Sequence, residues 1–385
     1  MKSIFKPICV LIAIFLCMLS LTSEVYAGSF EIDARAAILI DEATGKILFE
    51  QNIHEAFPPA SITKIMTMLL SMEALCNRKI SLEDEVVISR NASSMGGTQL
   101  YLEAGEIKTV EELMKGIAIR SANDASVAIG EHISGTEETF VKKMNQRAKE
   151  LGMKNTLFIN TTGLPAEGHV TSVYDISLMS RELLKHKEVH RWLTTWIDTV
   201  TVGRKGSIQE LVNTNRLIRH YEGATGIKTG YTRDAKHCLS ASATRNSTTF
   251  IAVVLGAPTS AIRFSETAKL LDYGFANYKT VIIARKSDEM GIVNINKGNL
   301  VEINAVVSED FKVLVKKEDS DKIEKSILLV NIIDAPILAG DKIGEIIIKL
   351  NNEEIGRADI VAEMDVKKAS FLNIISRMFE KFVSY

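Results

Sequence analysis

Cysteine is scarce in this chain, four among 385 residues. Cys9 and Cys17 fall in the apolar N-terminal segment, which leaves Cys76 and Cys238. Two cysteines are not a disulfide framework, so both thiols are expected to be unpaired. Net charge is also low, formally −2, which gives no electrostatic footprint for nucleic acid. No internal repeat and no low-complexity tract is evident. No metal-ligand spacing is present, so no metal and no cofactor is expected. There is no Gly-x-Ser-x-Gly elbow, which argues against a Ser-His-Asp hydrolase. The seven histidines show no telling placement. His237 reads best as a satisfied histidine at a strand edge.

Long apolar runs are missing too. The longest, Ile8 to Leu21, is about 14 residues, short of the roughly 20 that cross a bilayer as a helix. With Lys2 and Lys6 before it and Val25-Tyr26-Ala27 after it, the segment reads as a secretory signal over residues 1–27. Its removal takes away Lys2, Lys6 and Glu24 and leaves the chain one unit more negative. At the other end, Phe371, Leu372, Ile375, Met378, Phe379 and Phe382 recur on one stripe of a 3.6-residue helix. Lys367, Lys368, Arg377 and Lys381 add positive charge. The pattern predicts an amphipathic helix over 364–385 that lies in a membrane interface. An exported protein held at the outer face of the cytoplasmic membrane is the resulting expectation.

What is present between these ends is ample apolar material, 46% of the chain, and enough length for two domains. Two apolar runs, Arg35 to Ile40 and Ile47 to Glu50, flank a Gly-containing turn and read as a hairpin. Pro58-Pro59 stops it, and a helix follows from Ser61 to Leu75. Apolar spacing predicts helices at 109–119, 124–133, 137–151, 172–186 and 261–275. Strand patterns occupy 226–232, 237–244 and 248–256. Strands on both sides of a helical block imply a mixed α/β sheet with helices packed on it, over 28–277. From 278 to 363, short Val- and Ile-rich runs separated by Gly, Asp, Asn and Lys read as a small all-β domain. That domain shows no catalytic constellation and reads as a spacer or pedestal.

Three motifs stand in order along the first domain: Ser61-Ile62-Thr63-Lys64, Ser121-Ala122-Asn123 and Lys228-Thr229-Gly230. Each is weak alone. S-x-x-K recurs at Ser3 to Lys6, S-x-N recurs at Ser89 to Asn91, and Ser and Asn are common helix caps. Together they supply hydroxyls, ammonium groups and an amide to one pocket, the equipment for acyl transfer through a serine ester. Ser61 and Lys64, at i and i+3, share a helix face. Lys64 is the base at hand by spacing, but it must be neutral near pH 7, a change of roughly 4 kcal/mol. A helix N-terminus and a second cation, Lys228, both push that way. Ser121 can relay a proton to a leaving amine, and Asn123 can orient Lys64 or the substrate. Gly226 and Gly230 bracket the third motif, and glycine in a strand often marks close approach of another backbone. A peptide can add beside such a strand, its terminal carboxylate facing Lys228 and Thr229. The N–H groups of Ser61 and Tyr231 are oxyanion donors by position.

This ordered set resembles the low-molecular-mass penicillin-binding D-alanyl-D-alanine carboxypeptidases. The β-rich tail domain and the terminal amphipathic helix add to the likeness, as do Pro58-Pro59-Ala60-Ser61 and Ser121-Ala122-Asn123-Asp124-Ala125-Ser126. The resemblance implies a β-lactamase/transpeptidase-like fold and attack by Ser61 on a peptidoglycan stem peptide ending in D-Ala-D-Ala. D-Alanine leaves, and water hydrolyses the acyl-enzyme. It implies Lys64 as general base, Ser121 and Asn123 as the second motif, and Lys228, Thr229 and Gly230 at the substrate carboxylate. Arg263 matches an arginine that supports carboxylate binding. β-Lactams would acylate Ser61 as mimics of the peptide end. Two alternatives stand beside this. A class A β-lactamase would add a Glu-x-x-Leu-Asn segment; only Glu167, in Gly163 to His169, approaches it. A catalytically silent wall-binding protein would not need Ser61, Lys64 and Lys228 intact.

Overall fold

The computed structural model of the protein describes residues 30–370 and Ile375. The expected signal segment 1–27 and most of the expected C-terminal stripe lie outside the described residues. Strand β1 (Ala36–Asp41) and strand β2 (Ile47–Gln51) form the expected antiparallel hairpin. Asp41 holds its turn by accepting from the Thr44 N–H and hydroxyl, at 2.9 and 2.7 Å. Two short ribbons follow later, β3 (Glu85–Val87) with β4 (Ile107–Thr109), and β5 (Ile197–Val202) with β6 (Ser207–Val212). Strands β7 (Ala224–Thr232), β8 (Lys236–Arg245) and β9 (Thr248–Ala257) then complete a five-stranded antiparallel sheet in the order β2-β1-β9-β8-β7.

Alternation along the central strands places helices on both sheet faces. Ile38, Ile40, Ile251, Val253 and Leu255 join a large core with α1 (Lys64–Cys76), α2 (Val110–Lys115), α3 (Asn123–Ser134), α4 (Glu137–Glu150) and α5 (Val173–Leu184). Leu39 and Phe250 point the other way, where α6 (Ser260–Asn277) brings Gly274 against both. A strand covered on both sides has no need of polar alternation, which explains the apolar run Phe250 to Leu255. The helical block therefore lies between sequence-distant strands of one sheet, as the mixed α/β reading requires.

The chain continues into an all-β C-terminal domain. Its strands are β10 (Tyr278–Ala284), β11 (Glu289–Asn296), β12 (Glu302–Val307), β13 (Phe311–Lys316), β14 (Ile323–Leu329), β15 (Ile332–Asp334), β16 (Lys342–Leu350) and β17 (Glu353–Ala362). Six of them form a sheet in the order β14-β16-β17-β12-β11-β15, and β10 pairs with β13. Val293, Ile303, Ala305, Ile346, Ile348 and Ile360 make a second core. Thr280 ties β10 back to the first sheet through Asp41 Oδ1 at 3.0 Å and Thr248 Oγ1 at 2.8 Å.

Two sequence readings need correction. Residues 364–370 are not helical: Val366 bridges to Ile337 and Lys368 to Gly298. Val366 is buried in the β core, and the apolar stripe itself begins only at Phe371. The Val- and Ile-rich runs that the sequence shows between 278 and 363 (280–284, 300–307, 311–315, 327–333, 343–350 and 357–361) also leave out 289–296, which forms β11 with only Val293 and Ile295 buried. Both Cys76 and Cys238 are free thiols, as expected. Among the described residues no helix is long and apolar enough to cross a membrane.

Candidate active site

Ser61 sits in a 3-10 turn, Ala60–Thr63, that runs straight into α1. Ala60 has φ +48°, a left-handed conformation in which a non-glycine residue is strained. Gly163 makes that turn possible, since a Cβ there would overlap the Ala60 carbonyl oxygen. Its own φ is +81°, and Asn160 Oδ1 fixes its N–H at 2.7 Å. Gly163→Ala is therefore expected to cost about 2 kcal/mol or more through overlap and backbone strain. A thermal melt should show Tm lower by several degrees.

Lys64 is fully buried, and its ammonium nitrogen has three neighbours. Nζ lies 3.1 Å from Ser61 Oγ, 2.7 Å from Asn123 Oδ1 and 2.6 Å from the Thr162 carbonyl. The Asn123 orientation is fixed from its other end, where Nδ2 donates to the Gly96 carbonyl at 2.6 Å. Carbonyl oxygens can only accept. A neutral amine thus spends both protons on Asn123 and Thr162 and keeps its lone pair for the Ser61 hydroxyl. Burial first, and then the Lys228 cation, hold Lys64 well below its ordinary pKa. Lys228 is itself buried, and burial with the nearby Arg263 charge brings it to about 7.

The second motif enters from the end of a π-helical turn, Gly116–Arg120. Ser121 is buried with φ +70°, a second strained residue beside the same pocket. Asp124, one residue beyond Asn123, accepts from the Leu100 and Leu102 N–H groups at 3.0 and 3.1 Å. That carboxylate anchors the start of α3, and so the Asn123 amide that grips Lys64.

The third motif lies on β7, the edge strand of the five-stranded sheet. Gly230 faces the Ser61 turn: a Cβ there would stand 3.1 Å from the Ser61 nitrogen and 3.2 Å from the Pro59 carbonyl oxygen. The close backbone approach expected at this glycine is thus to the serine's own turn. Strand β7 brings Lys228, Thr229 and Gly230 to Ser61, while Tyr231 continues the strand with an exposed ring tilted on His237 at 4.5 Å.

Comparison with known proteins shows the family. Residues 22–259 match the family described as D-alanyl-D-alanine carboxypeptidase. The chain belongs to the D-alanyl-D-alanine carboxypeptidase family. Residues 278–368 match the C-terminal domain of penicillin-binding protein 5. The D-alanyl-D-alanine carboxypeptidase DacF of Bacillus subtilis is 46% identical over 346 residues, covering 90% of this chain and 89% of that protein. The structure of penicillin-binding protein 5 from Haemophilus influenzae superposes with a TM-score of 0.75 at 29% identity, covering 88% of this chain and 98% of that one. Penicillin-binding protein D2 of Listeria monocytogenes, solved in an ampicillin-bound form, matches with a TM-score of 0.57 at 34% identity over 63% of this chain and 98% of that one.

Within this carboxypeptidase fold, Arg263 reaches the site through the strand. It is buried, donating to the Gly230 and Cys238 carbonyls at 3.1 and 3.2 Å and to Ser260 Oγ at 3.1 Å. Its cation also lowers the pKa of Lys228. The sequence reading missed three contributors. Thr162 offers its carbonyl to Lys64, which no side-chain motif could signal. Thr214 pairs with the Thr229 hydroxyl at 2.8 Å. Asn215 donates to the Gly226 carbonyl at 2.8 Å, supporting β7 from the side. The Asn-Thr-Asn run at 213–215 was the available signal, being three turn-forming polar residues shortly before strand β7 (Ala224–Thr232).

Proposed function

We propose that the protein is a serine-type D-Ala-D-Ala carboxypeptidase that trims peptidoglycan stem peptides and is acylated by penicillins at Ser61. The observation that carries this reading is the buried Lys64 amine, held by Asn123 and Thr162 with its third neighbour the Ser61 hydroxyl. The donor terminus of the peptide lies along β7, its carboxylate on Lys228 and Thr229. Lys64 takes the Ser61 proton as Oγ bonds to the carbonyl carbon between the two D-alanines. The Ser61 and Tyr231 N–H groups receive the oxyanion. Ser121 passes a proton to the departing amine, and the C–N bond breaks to release D-alanine. Water then attacks the serine ester as Lys64 takes its proton; the ester C–O bond breaks, the proton passes to Ser61 Oγ, and the shortened peptide leaves with the free amine restored.

The placement of the reaction follows the same reading. Residues 1–27 are the export signal, 28–277 the catalytic domain and 278–363 the pedestal. The apolar and basic positions beyond 370 attach the protein to the outer face of the cytoplasmic membrane. The experiment is D-alanine release from a synthetic peptide ending in D-Ala-D-Ala, run beside a cross-linked dimer and a fluorescent penicillin. Release from the linear peptide and a long-lived label on Ser61 are expected. Rapid penicillin turnover without label favours a β-lactamase, and neither release nor label favours a silent wall-binding protein. Preference for the dimer makes the enzyme an endopeptidase.

A further inference from the structure

We propose that His169 is a positioning residue for the oxyanion hole, acting through Thr63 on the peptide plane that carries the Ser61 N–H. The inference rests on the reading of Ser61 as the nucleophile. A peptide group is rigid and planar, so its carbonyl and N–H point in opposite directions and turn together. The carbonyl of Ala60 and the N–H of Ser61 belong to one such group. Whatever fixes the Ala60 oxygen therefore aims the Ser61 N–H. External restraint matters here because Ala60 is in the left-handed region, at φ +48°, where its flanking peptides gain little from intrinsic preference.

The restraint is a short buried chain. The Thr63 hydroxyl donates to the Ala60 carbonyl at 2.9 Å. That uses its single proton, so the contact of 3.0 Å between Thr63 Oγ1 and His169 Nε2 has Nε2–H as donor. Ala60, Thr63 and His169 are all buried, where such bonds are strongest and hardest to replace with water. Burial also brings His169 down to about 4, which keeps the ring neutral at physiological pH. His169 Nδ1 is buried and has no partner among the described residues, so Nε2 is where the structure uses the ring.

The imidazole is itself well held. The His169 backbone N–H donates to the Ala166 carbonyl at 3.1 Å. The ring stands edge-on to Phe158 at 6.0 Å. The following residues bridge to two separate segments, Val170 to Leu157 and Thr171 to Phe57. On the far side of the turn, Gly230 sits against the Ser61 nitrogen. The plane is thus clamped at its carbonyl by His169, Thr63 and Gly163, with its N–H end left on the side where β7 and the substrate meet.

The test uses the full chain, with rates normalised to sites titrated by penicillin. His169→Leu and Thr63→Val remove one link each. Each is expected to slow acylation by saturating benzylpenicillin and D-alanine release by about tenfold to a hundredfold, below the 10²–10³ of losing an oxyanion donor outright. The penicillin concentration giving half-maximal acylation should stay within about twofold. Affinity for a boronic acid that mimics the tetrahedral intermediate should fall in parallel with the rate. His169→Gln, whose amide can place a donor near the Nε2 position, and Thr63→Ser should recover most of the loss. The double variant should be no slower than the slower single, because both act on one plane. Thr63→Val carries the test if His169→Leu does not fold. Unchanged rates per titrated site, a shift in half-saturation alone, or a Gln variant as slow as Leu overturns the inference while leaving Ser61 in place. A wild-type protein that neither releases D-alanine nor takes penicillin overturns the underlying reading instead.

Discussion

Ser61→Ala is expected to lower D-alanine release by about 10⁴-fold or more, the scale on which loss of a covalent nucleophile is felt. It should also leave no penicillin adduct by mass spectrometry. The fold should survive. Ser61 is only half-buried, and its hydroxyl has one side-chain partner, Lys64 Nζ at 3.1 Å. Removing it forfeits a single hydrogen bond, about 0.5–1.5 kcal/mol, while Lys64 keeps Asn123 and Thr162. A Tm within a few degrees of wild type is therefore expected, so that lost activity can be assigned to lost chemistry. A variant that still forms an adduct would move the nucleophile elsewhere in the pocket. Ser121, buried and strained at φ +70°, would be the first place to look.

The parts of this site legible in the sequence are those whose chemistry is carried by side chains at short spacing. Ser61 and Lys64 meet because i and i+3 share a helix face. Gly230 announced a close approach because glycine inside a strand often marks one. The sheet was legible for a related reason: β7, β8 and β9 follow one another through short turns, and periodicity reports such local order well. What stayed hidden is built from backbone and long-range closure. The Thr162 carbonyl has no sequence signature, and its approach to Lys64 spans 98 positions. His169 meets Thr63 across 106, so it read as an ordinary loop histidine. Arg263 entered through the resemblance, as a support for carboxylate binding, and its guanidinium grips the carbonyls of Gly230 and Cys238, contacts with no local signature. At the C-terminus, Val366 lies five positions before Phe371 and off the helical stripe, and it packs in the second core instead.

Lys64→Met should slow acylation by about 10²–10⁴-fold, the usual worth of a positioned general base, with the Met side chain filling the buried space. The pH profile gives the sharper test because the two lysines pull in opposite directions. Lys64 works only as the free amine, so activity rises with pH through its lowered pKa on the acid side. Lys228 serves the carboxylate as a cation, so activity falls as pH passes about 7 in the free enzyme. The profile of kcat/KM should therefore be a bell, and Lys228→Met, though much weaker in rate, should lose the alkaline limb. These are properties of the coupled pair, so the limbs report its macroscopic steps. Stability carries the same sign. With the Lys64 pKa lowered in the fold, the unfolded chain binds more protons between the folded pKa and the ordinary lysine range, so stability rises with pH across that window. Lys64→Met should make that rise in Tm shallower, leaving the part that Lys228, brought to about 7, contributes above neutral pH. An activity profile that climbs steadily to pH 10 would mean that the Lys228 charge is not needed. A Lys64→Met protein with an unchanged acid limb would mean that the base is another group.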